Sequence, residues 1–285
     1  NTLRNKGFSS IASCLYTPKC VAIRHLNLGH CEITDEEMEM IATALRENDK
    51  LRVLELHDND FRDHGVCALM STLRESNDTL CELDLGINTI QQQGFRAIAS
   101  CLRAPKNATR DGGGLKSLNL EFLGMGTEDI RIIAESIRGN RRLECLVLRE
   151  NGFGDDGIKT IMSALCEASA SSSSLTKLDL SRNIVRTHGA LAIANYLSTP
   201  QNSQKDDGDN GGLIHLNLGE CDIRDDEIKI IADALNSNNK LEILKLFSNR
   251  IGRVGFKYIA EALQNNTSLE AMLLDLNDGE EDEEH

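Results

Sequence analysis

The 285-residue sequence has no Trp, and aromatic residues make up only 4 % of it. A core so poor in rings must be built from Leu, Ile and Ala, which suits thin repeated layers better than one thick globular centre. Basic charge is scarce as well: 31 Lys and Arg stand against 45 Asp and Glu, for a net charge of −14. Residues 278–285 (DGEEDEEH) hold six acids and no Lys or Arg, which leaves about −8 on the rest. An acidic body repels phosphate backbones and anionic lipid, so neither nucleic acid nor a membrane is expected as a partner. No stretch is long and apolar enough to span a bilayer, and the first residues lack the basic–apolar–small order of a signal peptide.

Chemical motifs are missing too. There is no P-loop, G-x-S-x-G, H-E-x-x-H or C-x-x-C pair, so the chain is not expected to be an enzyme or to carry a cofactor. The glycines Gly112–Gly114 and Gly211-Gly212 are not directly followed by the Lys-Ser/Thr of a phosphate loop and read as flexible connectors. His25, His30 and His57, with Asp58 beside them, match no known ligand spacing, so solvated surface groups are expected there and no metal. The acid run 278–285 lacks the order of an EF-hand loop and reads as a solvated tail. Nine cysteines, an odd count without short paired spacings, argue against a disulfide framework. All nine are expected reduced and most of them structural, which favours a cytoplasmic or nuclear protein. Four N-x-S/T matches, at Asn77, Asn107, Asn265 and Asn266, are too short a pattern to imply secretion.

What is present is a repeat. The pattern L-x-x-L-x-L-x-x-N/C-x-L starts at Ile23, Leu51, Leu80, Leu115, Leu143, Leu175, Leu213, Leu241 and Leu269. The base period is 28 residues, with insertions after the third, fifth and sixth repeats. Apolar positions 1, 4 and 6, as in Leu80, Leu83 and Leu85, include the two-residue spacing of a strand face. Position 9 is usually Asn (Asn59, Asn88, Asn151, Asn183, Asn249), whose amide can bond the backbone of the turn that leaves the strand. The second half reads G-x-x-x-I-A-x-x-L, as in Gly94-Ile98-Ala99-Leu102, which is helix spacing on one face. One such unit cannot bury its own apolar edge, but stacked units make a continuous core. The expected fold is therefore an α/β solenoid with an inner parallel β-sheet and outer α-helices. Strands are expected near 25–28, 53–56, 82–85, 117–120, 145–148, 177–180, 215–218, 243–246 and 271–274. The solenoid is expected over 1–277, with an acidic tail at 278–285.

The 28-residue period and helical second half resemble the ribonuclease-inhibitor type of leucine-rich repeat. That class includes ribonuclease inhibitor, the repeats of NOD-like receptors and the Ran GTPase-activating protein. The resemblance covers Thr2 to about Asn277 and implies a horseshoe and, for most members, a protein-binding role. The alternative it raises is a Ran-type GTPase activator, a family that also joins such repeats to an acidic tail. That family's Arg and Asn find no residue-by-residue match here. A ribonuclease inhibitor proper is a third reading, against which the face is poor in aromatics.

A longer period overlies the first. Repeats starting at 23, 115 and 213 share the strand LNL and carry acids in place of the helix Gly, as in TDEEMEMIATAL, TEDIRIIAESI and RDDEIKIIADAL. Repeats starting at 80 and 175 share LDL and end in segments with Pro105 and Pro200. The array is thus made of three-repeat modules. Residues 103–114 and 198–212 interrupt the period and are expected to be mobile loops.

Positions 3 and 5 of each strand point away from the core. They and the residues just beyond are the expected partner-binding site: His25, Asn27, Val53, Glu55, Glu82, Asp84, Asn119, Phe122, Val147, Arg149, Lys177, Asp179, Arg182, His215, Asn217, Ile243, Lys245 and Phe247. Val53, Val147, Ile243 and Phe247 are expected to supply apolar contacts, and Glu55, Asp84, Asp179 and Lys245 specificity. The expected function is a protein-interaction scaffold that binds a protein partner on its concave face. The plainer alternative is that duplication copied these residues without selection for binding.

Overall fold

The computed structural model describes residues 5–16, 22–108, 113–169, 174–203 and 212–277. Every repeat places a three-residue strand where its Leu-x-Leu stands. These are β1 (His25–Asn27), β2 (Val53–Glu55), β3 (Glu82–Asp84), β4 (Ser117–Asn119), β5 (Cys145–Val147), β6 (Lys177–Asp179), β7 (His215–Asn217), β8 (Ile243–Lys245) and β9 (Ala271–Leu273). The strands stop one residue short of the expected ends, because position 6 already begins the turn.

The helices are α1 (Asn5–Tyr16), α2 (Asp35–Glu47), α3 (Asp63–Glu75), α4 (Gln92–Leu102), α5 (Thr127–Ile137), α6 (Asp155–Ser169), α7 (Thr187–Leu197), α8 (Pro200–Ser203), α9 (Asp225–Leu235) and α10 (Arg253–Asn265). The chain forms two compact units, Asn1–Val147 and Leu148–His285. In the first, β1 to β5 pair in parallel in chain order, with Leu26, Leu54, Leu83, Leu118 and Leu146 side by side. In the second, β6 to β9 do the same through Leu178, Leu216, Leu244 and Met272. The helices of each unit stack on their neighbours along the chain.

Positions 4 and 6 carry the core. Leu54, Leu56, Leu118, Leu120, Leu244 and Leu246 are fully buried, and so are the loop residues Ile33, Phe61, Val185, Ile223 and Ile251 at position 11. A Leu→Ala change at such a site costs about 2–5 kcal/mol, since the layers on either side cannot close the cavity.

Side-chain amides satisfy the turns. The buried Asn59 accepts from the backbone N–H of Cys31 and Ile33, both at 3.0 Å, and donates to Leu28 O and Leu56 O at 2.9 and 2.8 Å. Asn88, Asn183 and Asn249 donate in the same way to their own and the preceding turn. A second asparagine series, not anticipated, stands three residues before position 1: Asn48, Asn77, Asn140, Asn238 and Asn266. Asn77 donates to Leu45 O at 2.8 Å and accepts from Leu80 N at 2.9 Å, tying a helix end to the next strand. Asn140 and Asn238 repeat the pattern.

Helix N-termini explain the three-repeat modules. α2, α5 and α9 have an acid at their third residue that caps its own helix: Glu37 accepts from Thr34 N at 3.0 Å, Asp129 from Gly126 N at 3.0 Å, and Glu227 from Arg224 N at 3.2 Å. α3, α4, α7 and α10 instead borrow a carboxylate from the first residue of the helix before. Asp35 accepts from Arg62 N and Gly65 N, Asp63 from Gln91 N and Gln93 N, Asp155 from Arg186 N and His188 N, and Asp225 from Gly252 N. Such a borrowed carboxylate fills the space over the third residue. A Cβ at Gly65, Gly94, Gly189 or Gly255 would lie 2.5–2.8 Å from that Asp oxygen, so each must be glycine.

The flanks of two insertions are built into the fold, contrary to the expectation of loops throughout. Pro105–Ala108 form a 3-10 turn, and Lys106 Nζ donates to Leu73 O and, at 2.8 Å, to Asn77 O, the work an asparagine does in other repeats. Asn202 is buried and donates to Tyr196 O at 2.7 Å, while the Tyr196 hydroxyl accepts from Leu213 N at 3.0 Å. The remaining parts, 109–112 and 204–211, lie outside the described residues, as does the tail 278–285.

Candidate functional site

The sheet face opposite the helices carries positions 3 and 5. All expected residues on the strands are there, and all are at least partly exposed. In the first unit His25 Nε2 lies 2.5 Å from Glu55 Oε1, and Asn27 donates to the other oxygen of Glu55. His30 pairs with Asp58, and His57 Nδ1 lies 3.4 Å from Asp84 Oδ2, too poorly aligned for a hydrogen bond. The His30 and His57 rings meet edge to face at 5.1 Å. The three histidines are thus divided among three carboxylates. Among the described residues no group of three or more His, Cys, Asp or Glu is placed to hold a metal ion. Val53, Val147 and Cys145 are the half-buried apolar members of this face.

In the second unit Arg182 reaches Glu150 and Glu220, both at 2.9 Å, and Arg149 lies 4.0 Å from Glu220. These hydrogen bonds to carboxylates push the Arg182 pKa up. Lys177 is exposed, and Ile243, Lys245 and Phe247 are half-buried. The Phe247 ring lies over Gly219, where any Cβ would collide with it. His215 is held below the ordinary histidine pKa by burial first and by the charge of Lys177 and Lys245 as well.

Position 5 is less free than its place on the open face implies. The side-chain oxygens of Asn27, Asp84, Asn119, Asp179 and Asn217 each accept from the backbone N–H two residues on, at 2.8–3.1 Å. These are Asx turns that end the strand. Asp179 also accepts from Ser181 Oγ at 2.5 Å and from Asn217 Nδ2 at 2.7 Å. Asp84 and Asp179 therefore hold backbone besides facing solvent, and charge reversal there would disturb the turn. The signal was legible as Asn or Asp recurring at one position.

Position 8 follows, and its backbone is left-handed in all nine repeats although none has glycine there. His30, Asp58, Ile87, Phe122, Glu150, Arg182, Glu220, Ser248 and Leu276 have φ of 51–57°. Nothing in these residue types announces the conformation. It turns the chain off the strand and swings Phe122 outward, where it is 52 % exposed.

None of the eight described cysteines forms a disulfide; Cys20 lies outside the described residues. Cys31, Cys101 and Cys221 are buried, and burial pushes Cys101 up to about 11 and Cys221 up to about 12, which disfavours the reactive thiolate at those two. Cys14 is exposed. No helix among the described residues is long and apolar enough to cross a membrane.

A family model described as Leucine Rich repeat matches residues 19–42, 139–162, 171–194 and 237–260. The chain is 27 % identical over 262 residues to ribonuclease inhibitor of Mus musculus, across 92 % of this chain and 53 % of that protein. It is 26 % identical over 238 residues to NACHT, LRR and PYD domains-containing protein 13 of Homo sapiens, across 84 % of this chain and 18 % of that protein. The chain thus spans about half the length of the first and under a fifth of the second. A solved structure from Bacteroides fragilis shares the fold with a TM-score of 0.55 at 14 % identity, over 95 % of this chain and 70 % of that one.

Proposed function

We propose that this leucine-rich-repeat protein of the ribonuclease-inhibitor type is a non-catalytic binding module that holds a protein partner on the open face of its sheets. One observation carries the reading. Position 6 is Leu in all nine repeats and position 4 is Leu in eight, with Met272 in the ninth. Position 3, one residue away on the other face, runs through His25, Val53, Glu82, Ser117, Cys145, Lys177, His215, Ile243 and Ala271. The repeats copied the frame and let the face diverge. Half-buried apolar Val53, Val147 and Ile243 among charges are what a partner would cover, each contributing a part of the ~1.5–3 kcal/mol that full burial of such a side chain is worth. The charges around them set approach and specificity. Relatives named as ribonuclease inhibitor support a binding rather than a catalytic role.

The test uses position 3, which holds no turn. A partner captured from native extract and identified by mass spectrometry is titrated against Glu82→Lys and Lys177→Glu. At least one should weaken binding tenfold or more, while Lys257→Glu on α10 should not. Sensitivity to the helix substitution alone overturns the reading. Acceleration of GTP hydrolysis by a Ran-like GTPase would establish the alternative, a Ran-type activator.

A further inference from the structure

We infer that the turns after β3 and β4 form an anchor site for a protein segment that presents an apolar side chain flanked by Lys or Arg. The inference rests on the binding role proposed above and names where, and for what chemistry, the first unit binds.

Ile87 is the starting point. It occupies position 8, with φ of 56°, and it is β-branched. A β-branched side chain is among the least tolerant of left-handed backbone, since its Cβ substituents crowd the following carbonyl. The other turns of this unit place His30, Asp58 and Phe122 there. A fold that needed only the turn would be served better by Asn or Gly. Packing does not account for Ile87 either, for it is 38 % exposed, and Phe122 on the next turn is 52 % exposed. Strain kept by a side chain that stays more than a third exposed points to a use outside the fold.

The two side chains sit on neighbouring rungs. Ile87 N donates to Glu121 O at 2.9 Å, and Asp58 N donates to Gly86 O at 3.0 Å. Asp58, Ile87 and Phe122 therefore form one row along the turns. Glu121 flanks the row, lying over Gly86, where an added Cβ would meet its Cγ at 2.8 Å. Asp84 and Glu82 stand one step back on β3. Positions 3, 5, 7 and 8 of the repeats that carry β1 to β4 hold the carboxylates of Glu55, Asp58, Glu82, Asp84 and Glu121 and not one Lys or Arg. An exposed Ile–Phe pair bordered by carboxylates, of which Asp58 and Asp84 have histidine beside them and no Lys or Arg, is complementary to an apolar anchor between cationic side chains. An acidic or purely apolar segment would meet unanswered carboxylates.

A random dodecapeptide library displayed on phage, panned on the full chain, supplies the probe. The enriched peptides should combine an aromatic or aliphatic residue with two or more Lys or Arg. By fluorescence anisotropy the best of them should bind Ile87→Asn and Phe122→Asn at least tenfold more weakly, and Glu121→Gln several-fold more weakly with a shallower salt dependence. The Tm of Ile87→Asn should hold or rise by about 1–3 °C, because Asn tolerates the left-handed turn. Enrichment of acidic peptides, no enrichment over a parallel selection on the Ile87→Asn/Phe122→Asn chain, or unchanged affinity of either variant overturns the inference. So does a fall in Tm of more than about 5 °C for Ile87→Asn, which would make that residue a packing element. Peptides that ignore both variants but are lost on Glu82→Lys or Ile243→Asp would refute this anchor site and leave the open-face reading standing. Peptides indifferent to all four would refute both.

Discussion

The two units share one frame and carry different faces. In the first, carboxylates are answered by histidine and asparagine: Glu55 by His25 and Asn27, Asp58 by His30, with His57 close to Asp84. In the second they are answered by arginine, with Arg182 between Glu150 and Glu220, and Arg250 2.6 Å from Asp222. Lys177 and Lys245 add further positive charge to that face. Behind both faces the asparagine and aspartate hydrogen bonds are the same. Because the turns and helix ends are satisfied from behind and from the side, the face is released to diverge. Charge is the property that diverged most.

If the frame is common, breaking it should cost the same in either unit. Asn59→Ala and Asn249→Ala each orphan two buried N–H groups and one C=O, since Asn88 and Asn277 still serve Leu56 O and Leu246 O, so each should cost about 3–5 kcal/mol in urea unfolding. A difference above about 2 kcal/mol between them would mean that the units do not rely equally on the ladder.

The borrowed caps sharpen the comparison. A Cβ at Gly189 meets chiefly Asp155, whereas at Gly94 it meets Ile90 Cγ2 at 2.5 Å as well as Asp63 at 2.8 Å. Gly189→Ala and Gly94→Ala should each destabilise by about 1–3 kcal/mol. In double-mutant cycles Asp155→Ala should offset most of the Gly189→Ala clash, while Asp63→Ala offsets only part of that at Gly94. Equal coupling energies in the two cycles would count against this assignment.

Face substitutions should matter much less to stability. Arg182→Ala breaks two exposed pairs and should cost no more than about 1 kcal/mol, with the loss shrinking in 0.5 M salt. A larger, salt-independent loss would show that Arg182 belongs to the frame.

The smallest effect is a titration. Burial, then Lys177 and Lys245, lower the His215 pKa, so within the window below the unfolded value the unfolded chain binds more protons at this site. Its contribution therefore makes stability fall as pH falls through that window. Lys177→Gln should move the His215 midpoint upward in an NMR titration; a midpoint that stays put or falls would remove Lys177 from the causes.

All nine strands were legible because Leu-x-Leu at a 28-residue period has one physical meaning, and the position 9 amides were legible because only a polar side chain can serve a buried turn. Asn48, Asn77, Asn140, Asn238 and Asn266 were equally visible, yet an Asn near a helix end reads as a loop residue until its carbonyl partners are known. Alternation placed position 5 on the open face, but it tells which way a side chain points and not what it bonds. The left-handed residues were beyond sequence reasoning, for Ile87, Phe122 and Arg182 prefer other backbone when considered alone.

The Asp–Gly coupling between successive helices has a consequence for how such a chain can grow. A repeat with Asp at the head of its helix must be followed by one with Gly at the third helical residue, and a repeat that caps itself must follow one without that Asp. Single repeats are thus not interchangeable: a copy inserted out of phase either drives a carboxylate into a side chain or strands a helix end without its acceptor. Duplication in blocks that begin at a self-capped helix avoids both faults, so the grammar of the array is written in the order of its helix heads.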